Sequence, residues 1–331
     1  STHSPATKAW LHSRLGSFRN EDRFVASNTV DPFTGVNCLT EMFHKTLSFA
    51  RDSGDTRRCK GITMTDFDWD DAYSNGKYIA GADDFPPRWA AKALALRTDR
   101  ITKGRAELDL EYGPHARNKL DILLPDQAPN GLVVIVHGGY WLAFDKSYWS
   151  HLAAGALARG YAVALPSYVL APEVGIDEIT LQIKAAVEFA AGRIAGPIHL
   201  TGHSAGGHLV TRMLCGDLKW TSCFVERIAK VVSISGLHDL RPLLKTAMNT
   251  QLKLDATTAE SESALLSGTV LPVPTIAWVG GDERPVFIDQ SRWLARDWSN
   301  AELVVEAGKH HFDVIDGLEN PQSALMRALL G

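Results

Sequence analysis

The chain has 331 residues, which is enough for one large domain or two small ones. Its formal net charge is −4 and it has no run of five or more basic residues, so the composition argues against nucleic acid as the main partner. No window approaches about 18 uncharged apolar residues, so we predict neither a membrane span nor a membrane partner.

The four cysteines argue against a metal site and against a disulfide framework. Cys38, Cys59, Cys215 and Cys223 lack the spacing of metal ligands, and four are too few to cross-link a chain of this length. They fit a reducing compartment, and the first residues lack the basic, apolar and small-residue order of a secretory signal. We therefore predict a cytoplasmic protein, and the sequence leaves a homodimer open.

The first part of the chain differs from the rest. Residues 1–63 are polar, mixed in charge and without a sustained apolar period. This composition favours a disordered or loosely packed extension over a docking arm or lid. We therefore expect the functional domain over residues 64–331.

From about residue 107 the apolar pattern becomes regular. Two strand-length segments separated by turn residues, "AELDLEYG" and "KLDILLP", predict an antiparallel hairpin. Continuous apolar runs then predict buried strands in "LVVIVHGG", "YAVALPSY", "PIHLTGHS", "KVVSISGL", "PTIAWVGG" and "AELVVEAG". Helical sequence follows in "KSYWSHLAAGALARG", "IDEITLQIKAAVEFAAGRI", "AGGHLVTRML" and "NPQSALMRALL". This alternation predicts an α/β fold with a mostly parallel sheet and helices on both faces.

Four unusual segments follow predicted strands. They are "HGGYW" (137–141), "GHSAGG" (202–207), "GGDERP" (280–285) and "GKHHF" (308–312). In parallel sheets, functional groups gather at the carboxyl ends of the strands. We therefore expect these four segments to form a single site.

Ser204 stands where a nucleophile would. It lies in the Gly-x-Ser-x-Gly pattern of "TGHSAGGH", directly after an apolar strand and directly before a helix. A tight strand-to-helix turn leaves no room for side chains two positions away, and Gly202 and Gly206 meet that requirement. We interpret Ser204 as a nucleophile, and the alternative is a serine that caps a helix.

A serine hydroxyl needs an adjacent base, and the base needs an orienting acid. The chain order for such a site is nucleophile, acid, histidine. Only His310 and His311 follow the last predicted strand. We favour His311, because Phe312 can anchor its loop. The usual spacing after the strand "PTIAWVGG" favours Glu283 as the acid, with Asp282 as the alternative.

The tetrahedral intermediate of such a reaction needs donors aimed at its oxyanion. We expect one donor to be the amide of Ala205, directly after the nucleophile. The others would be the amides of Gly139 and Tyr140, with Gly138 permitting the turn.

Trp141, His203 and Tyr168 are candidates for contact with substrate. Aromatic side chains here could line a pocket for a planar substrate, but helix-facing aromatics usually belong to the core, and both interpretations stay open. The pair His238–Asp239 has no further ligands at suitable spacing, so we predict no metal site.

Together these motifs resemble the α/β-hydrolase superfamily, and within it the kynurenine formamidase (arylformamidase) group, which is related to hormone-sensitive-lipase-like esterases. The resemblance rests on "HGGYW", "GHSAGGHL", "SGLHDLRPLLKTAMN", "ERPVFIDQS" and "HHF". It covers roughly Asp66 to the C-terminus. In this comparison residues 64–105 look like the N-terminal helical arm of bacterial members, ahead of a catalytic core over residues 106–331.

The resemblance implies a Ser204 nucleophile, a Glu283 acid and a His311 base. The acid is more often aspartate among animal members, and "ESESALLSG" stands where the family usually has Ser-Pro. The implied reaction is hydrolysis of N-formyl-L-kynurenine to kynurenine and formate. We therefore expect a cofactor-free serine hydrolase whose partner is a small aryl formamide or carboxylic ester. The alternatives are a generic short-chain carboxylesterase and a non-catalytic ligand-binding homologue.

Overall fold

The centre of the molecule is a mixed β-sheet. The computed structural model describes residues 67–220 and 223–331, and residues 68–331 form one unit. The extension predicted for residues 1–63 lies outside the described residues. Within them the strands are β1 (Ala106–Glu111), β2 (Lys119–Leu123), β3 (Leu132–Val136), β4 (Ala162–Pro166), β5 (Ile198–His203), β6 (Ile228–Ile234), β7 (Thr275–Gly280) and β8 (Ala301–Glu306).

The described strands form one eight-stranded sheet in the order β1-β2-β4-β3-β5-β6-β7-β8. β1 and β2 pair antiparallel, as the sequence predicts, and β2 pairs antiparallel with β4. The remaining pairings are parallel. The predicted α/β fold with a mostly parallel sheet is therefore confirmed.

Helices cover both faces of this sheet. They are α1 (Trp69–Ala72), α2 (Phe85–Thr102), α3 (Ala154–Ala158), α4 (Ile176–Ala191), α5 (Ala205–Arg212), α6 (Asn249–Leu252), α7 (Ala256–Ser261), α8 (Pro285–Asp297) and α9 (Ala324–Leu330). Among the described residues, no helix combines the length and the apolar character that crossing a membrane would require. α1 and α2 belong to the segment 67–105, which we call the arm.

The helix predicted over "KSYWSHLAAGALARG" forms only in part. Its first half consists of two short 3-10 helices, Lys146–Tyr148 and Ser150–Ala153, and α3 is limited to five residues. The Lys146 ammonium and the Trp149 ring are both buried in this half. The apolar period alone did not distinguish these tighter turns from a regular helix, because the contacts that shape them come from other parts of the chain.

Alternate side chains of the central strand face opposite layers of the core. In β3, Leu132, Val134 and Val136 pack into the cluster that contains α4, α5 and α8. Val133 and Ile135 pack into the cluster that contains Trp89 of α2, together with α3 and α9. A strand that is covered on both faces has a continuous run of apolar residues, and for this reason the strand could be predicted from the sequence.

A buried ionic contact joins the arm to the sheet. The side chain of Asp121 on β2 is fully buried and forms ion pairs with Lys146 Nζ at 2.7 Å and with Arg97 Nη2 of α2 at 3.2 Å. The Lys146 ammonium also contacts Asp109 and holds the pKa of that carboxyl below its usual value. The arm helix is therefore anchored at its C-terminal half to the antiparallel edge of the sheet.

We expect Lys146→Met to lower the free energy of unfolding by about 3 kcal/mol, because the Asp121 carboxylate would stay buried without its closest cation. Urea denaturation followed by tryptophan fluorescence measures this change. Lys103→Met is the matched control: it removes an exposed pair with Asp99 and should change the free energy by less than about 1 kcal/mol. Equal losses in the two variants would contradict the stabilising role of the buried Lys146–Asp121 pair.

Candidate active site

Ser204 occupies a strained turn between β5 and α5. Its backbone has φ 56° and ψ −116°, a conformation that non-glycine residues rarely adopt. A Cβ at Gly206 would lie 2.0 Å from the carbonyl oxygen of Val136, and one at Gly202 would lie 2.3 Å from the carbonyl oxygen of Gly206. The two glycines are therefore required by the close approach of three backbone segments, as the motif predicts.

His311 contacts a buried carboxylate. Its Nδ1 lies 2.6 Å from Oε2 of Glu283, whose side chain is fully buried. The other carboxylate oxygen, Oε1, accepts hydrogen bonds from the amide of Gly280 at 2.8 Å and from the hydroxyl of Ser235 at 2.5 Å. Three donors thus fix both oxygens of Glu283, and the imidazole takes its orientation from that carboxylate.

The two neighbouring candidates point elsewhere. Asp282 is exposed, and its amide donates to the carbonyl of Lys309. His310 lies against Asp313, with Nδ1 at 3.2 Å from the Asp313 carboxylate, and its ring meets Phe85 edge to face. The geometry therefore brings Glu283 rather than Asp282, and His311 rather than His310, into contact with each other.

His203 connects the serine turn to the loop of His311. Its Nε2 lies 2.8 Å from the carbonyl oxygen of His311, and the two rings pack with their centroids 4.5 Å apart. Burial, and to a smaller extent the charge of His311, lower the pKa of His203 well below its usual value. A neutral His203 donates through Nε2 to that carbonyl. Within the described residues no hydrogen bond joins Ser204 Oγ to His311, and such bonds are often long until substrate binds.

Three backbone amides near Ser204 are free. Within the part of the chain that the structure describes, the amides of Gly139, Tyr140 and Ala205 donate no hydrogen bond. Gly138 lets the two segments meet, since a Cβ there would lie 2.8 Å from the carbonyl oxygen of His203 and 3.2 Å from the Cβ of Ser204. Unpaired amides grouped around one point can bind an oxyanion.

The loop after β3 carries unusual backbone geometry. Gly139, Tyr140, Trp141 and Phe144 all have positive φ, at 110°, 52°, 58° and 72°. The hydroxyl of Tyr140 donates to the carbonyl of Tyr73 on the arm at 2.7 Å. The arm is therefore bonded to this loop through Tyr140.

The predicted pocket residues Trp141 and Tyr168 lie in the core. Both are completely buried. The Trp141 indole packs edge to face on His208 of α5, and the Tyr168 ring stacks on His137 at 4.2 Å. Of the two interpretations that the sequence left open for these aromatics, the structure favours the core, because both rings fill space behind the loop that bears the free amides.

A cavity of about 260 Å³ is lined in part by His311. Its wall combines residues of the arm with the loops after β7 and β8, and consists of Asn75, Tyr78, Ile79, Asp282, Glu283, Arg284, Pro285, His310 and His311. Ser204 and His203 are not part of this wall. The cavity therefore adjoins the two residues of the His311–Glu283 pair.

The motif analysis assigns no role to Ser235 or to the arm residues at the cavity. Ser235 directly follows β6 and has a positive φ of 51°, so it is one more residue at the carboxyl edge of the sheet. Its position after an apolar strand is a usable signal. Asn75 offers no such signal, because the arm lies far in the sequence from the motifs that follow the strands.

Comparison with known proteins identifies the family of the chain. The family model described as BD-FAE matches residues 120–291. Kynurenine formamidase of Danio rerio is 31% identical over 274 residues, which cover 74% of this chain and 92% of that protein. The chain belongs to the kynurenine formamidase family of α/β-hydrolases. It is a hydrolase.

Solved structures support the assignment of the fold. A candidate thioesterase from Silicibacter sp. TM1040 is 53% identical and has a TM-score of 0.77, covering 79% of this chain and 98% of that one. Esterase B from Lactobacillus rhamnosis, at 17% identity and a TM-score of 0.56, covers 73% of this chain and 92% of its own. At that identity the second likeness concerns the fold alone.

We expect the free energy of unfolding to fall between pH 7.5 and pH 5.5. Burial lowers the pKa of His208 and of His238 to about 3, and it lowers the pKa of His203 as well. The unfolded chain binds protons at these histidines below about pH 6.5 while the folded chain does not, so stability is lost as the pH falls through that range. His208 and His238 each contribute about 1.4 kcal/mol to the loss at pH 5.5.

Urea denaturation at the two pH values measures this loss. His238→Gln removes one titrating group, so the difference between the two pH values should shrink by about one histidine's share. Equal stability at both pH values in the unmodified protein would contradict the assignment of neutral buried histidines.

Proposed function

We propose that this chain is a serine hydrolase in which Ser204 is the nucleophile, His311 the general base and Glu283 the orienting acid. The observation that carries the proposal is the buried 2.6 Å contact between His311 Nδ1 and Glu283 Oε2. The His311 ring packs against the ring of His203, which directly precedes Ser204 in the strained turn. A carboxylate on Nδ1 leaves Nε2 as the nitrogen that can accept the serine proton. The strained turn places the Ser204 hydroxyl directly after a strand and before a helix, as a nucleophile elbow requires.

We assign the free amides to the oxyanion-binding site. In the transition state, the Gly139, Tyr140 and Ala205 amides would donate to the oxygen of the attacked carbonyl. Gly138 keeps these donors close to Ser204. Because the amides are already unpaired and fixed by the strained loop, little reorganisation accompanies the development of charge.

The reaction proceeds in two halves. Ser204 Oγ attacks the carbonyl carbon as its proton passes to His311 Nε2, and the tetrahedral oxyanion forms. The bond to the leaving nitrogen or oxygen then breaks, and His311 returns the proton to the leaving group. A water molecule gives a proton to His311 and attacks the acyl-enzyme, and release of the acid restores the Ser204 hydroxyl.

For the substrate we propose an aryl formamide of the N-formyl-L-kynurenine type, with short-chain carboxylic esters as the second candidate. Kynurenine formamidases that match about three quarters of this chain support the first choice. A formyl group needs only a small acyl pocket. The half-buried Tyr140, fixed by its bond to Tyr73, narrows the space beside the free amides, whereas Trp141 is in the core. The esterase relatives and structural neighbours support the second candidate.

We also propose that the protein acts in the cytoplasm on a small molecule, without a nucleic-acid or membrane partner. Cys215 is a free, buried thiol, which fits a reducing compartment. Burial raises the pKa of this thiol, so it is a poor nucleophile at neutral pH.

Ser204→Ala should lower kcat for p-nitrophenyl acetate by about 10⁴-fold or more, because the hydroxyl that forms the acyl-enzyme is lost. Glu283→Gln should cost about 10⁴-fold, since an amide favours the wrong imidazole tautomer. Asp282→Asn is the matched control and should lose far less, because its side chain is exposed and His311 pairs with Glu283 instead. Steady-state kinetics measure all three, and retained activity in Ser204→Ala would refute the mechanism.

The choice between substrates rests on kcat/KM for N-formyl-L-kynurenine and for short p-nitrophenyl esters. We expect the formamide to be hydrolysed well above its background rate, and Ser204→Ala to abolish this turnover. A formamide rate no better than background, with the esters still hydrolysed, would leave a short-chain carboxylesterase as the function.

A further inference from the structure

The hydroxyl of Ser235 contacts the carboxylate that orients His311. Ser235 directly follows β6, is fully buried, and donates to Glu283 Oε1 at 2.5 Å. The other two donors to this carboxylate in the described residues are the backbone amide of Gly280 and the imidazole of His311. Of these three bonds, the one from Ser235 can be removed by a side-chain substitution that leaves the proposed triad unchanged.

Ser235 holds this position in a backbone conformation that disfavours it. Its φ is 51°, in the left-handed region that serine rarely adopts and glycine adopts freely. Its amide donates at 2.7 Å to the carbonyl of Trp278 on β7, the strand that leads to Glu283. A glycine would fit this backbone with less strain, so the serine is explained by its hydroxyl rather than by the turn.

The end of β6 also contacts the nucleophile turn. The amide of Ser204 donates to the carbonyl of Ile234 at 2.8 Å. Ile234 and Ser235 are consecutive, so adjacent residues bond to the serine and to the acid of the proposed triad. These two bonds fix the strand-to-helix turn relative to Glu283.

The Glu283 carboxylate depends on such donors. Its side chain is fully buried, so each oxygen must be paired within the protein. A glutamate side chain also has several torsions, whose freedom must be restricted if one oxygen is to face the imidazole. The Ser235 hydroxyl and the Gly280 amide both hold Oε1, which leaves Oε2 for His311 Nδ1. Donors to a carboxylate also favour its charged form.

We propose that Ser235 is a positioning residue for the hydrolysis: its hydroxyl holds the Glu283 carboxylate charged and turned toward His311 Nδ1. Ser235 acts through Glu283 and is not itself a catalytic residue. In the transition state this carboxylate faces a positively charged imidazole, so its misalignment slows the chemical steps more than it weakens substrate binding. The inference rests on the serine mechanism proposed above.

The test uses two variants, Ser235→Ala and Ser235→Gly, with p-nitrophenyl acetate as substrate. Both remove the hydroxyl, and we expect kcat to fall about tenfold in each while KM stays within about threefold, since one hydrogen bond to a charged group is lost. Glycine tolerates the positive φ, so Ser235→Gly carries the test even where Ser235→Ala fails to fold. An unchanged kcat in Ser235→Gly would overturn the inference.

Ser233→Ala is the matched control. Ser233 is a fully buried serine on the same strand, and its hydroxyl lies 3.4 Å from His238 Nε2 rather than against Glu283. Its kcat should stay within about threefold of the unmodified protein, because the bonds to the carboxylate are intact. A tenfold loss in this variant as well would assign the effect to any buried hydroxyl of β6 and overturn the role of Ser235.

The pH profile is a readout that a purely structural role would not change. The active form has a neutral His311 beside a charged Glu283. Without the Ser235 hydroxyl this carboxylate is less stable, and a proton on His311 compensates, so the protonated form is favoured. The acid limb of kcat/KM should therefore shift to higher pH by about half a unit or more in both Ser235 variants. An unchanged limb in both would overturn the inference.

Several other titratable or charged groups surround the pair or follow β6, and all are retained in the variants. They are His203, Tyr140, His238, Asp282, Arg284 and His310. Since Ser233→Ala retains the same groups, its acid limb should coincide with that of the unmodified protein. A shift of the same size in this control would overturn the assignment to Ser235.

The Ser204→Ala variant separates the two proposals. If Ser204→Ala is inactive while both Ser235 variants match the unmodified protein, the serine mechanism stands and the role of Ser235 is refuted. If Ser204→Ala retains activity, the serine mechanism fails, and the role of Ser235 fails with it.

Discussion

The close approach of backbone at the serine turn is the constraint on which the site depends. β3 and α5 come so near to each other that Gly206 has no space for a side chain against the Val136 carbonyl. This contact keeps Ser204 in a backbone conformation that it would not adopt in a free loop. The same approach brings Gly138 against the Ser204 Cβ, so the free amides and the hydroxyl share one location. The close packing of the parallel sheet around this turn maintains the strained conformation.

Much of the fold and the centre of the site could be predicted from the sequence, because both are local in origin. Strands buried on both faces give continuous apolar runs, and the turn before α5 tolerates only glycine at two fixed positions. The contact between His311 and Glu283 follows from where two segments end along the same edge of the sheet. The predicted catalytic roles remain predictions until activity is measured.

What could not be predicted depends on contacts between distant segments. Trp141 looked equally suited to a pocket and to the core, and only its packing on His208 decides for the core. The position of Ser235 after a strand could be recognised, but the hydrogen bond from its hydroxyl to Glu283 joins segments 48 residues apart and is visible only in the structure. The arm residues at the cavity carry no motif at all, since their importance arises from where the arm docks.

The arm also has a consequence for the order of folding. Asp71 and Arg284 are 213 residues apart in the chain, and Trp89 of α2 packs against Phe144 and Phe312, one after β3 and one after β8. Contacts between segments so distant in sequence close a long loop of chain. The conformational entropy of that loop is lost before the contacts stabilise the fold. The contacts of Asp71 with Arg284 and of Trp89 with Phe312 can form only once the segments after β7 and β8 are present. The first described part of the chain is therefore joined to the last loops of the sheet, next to His311.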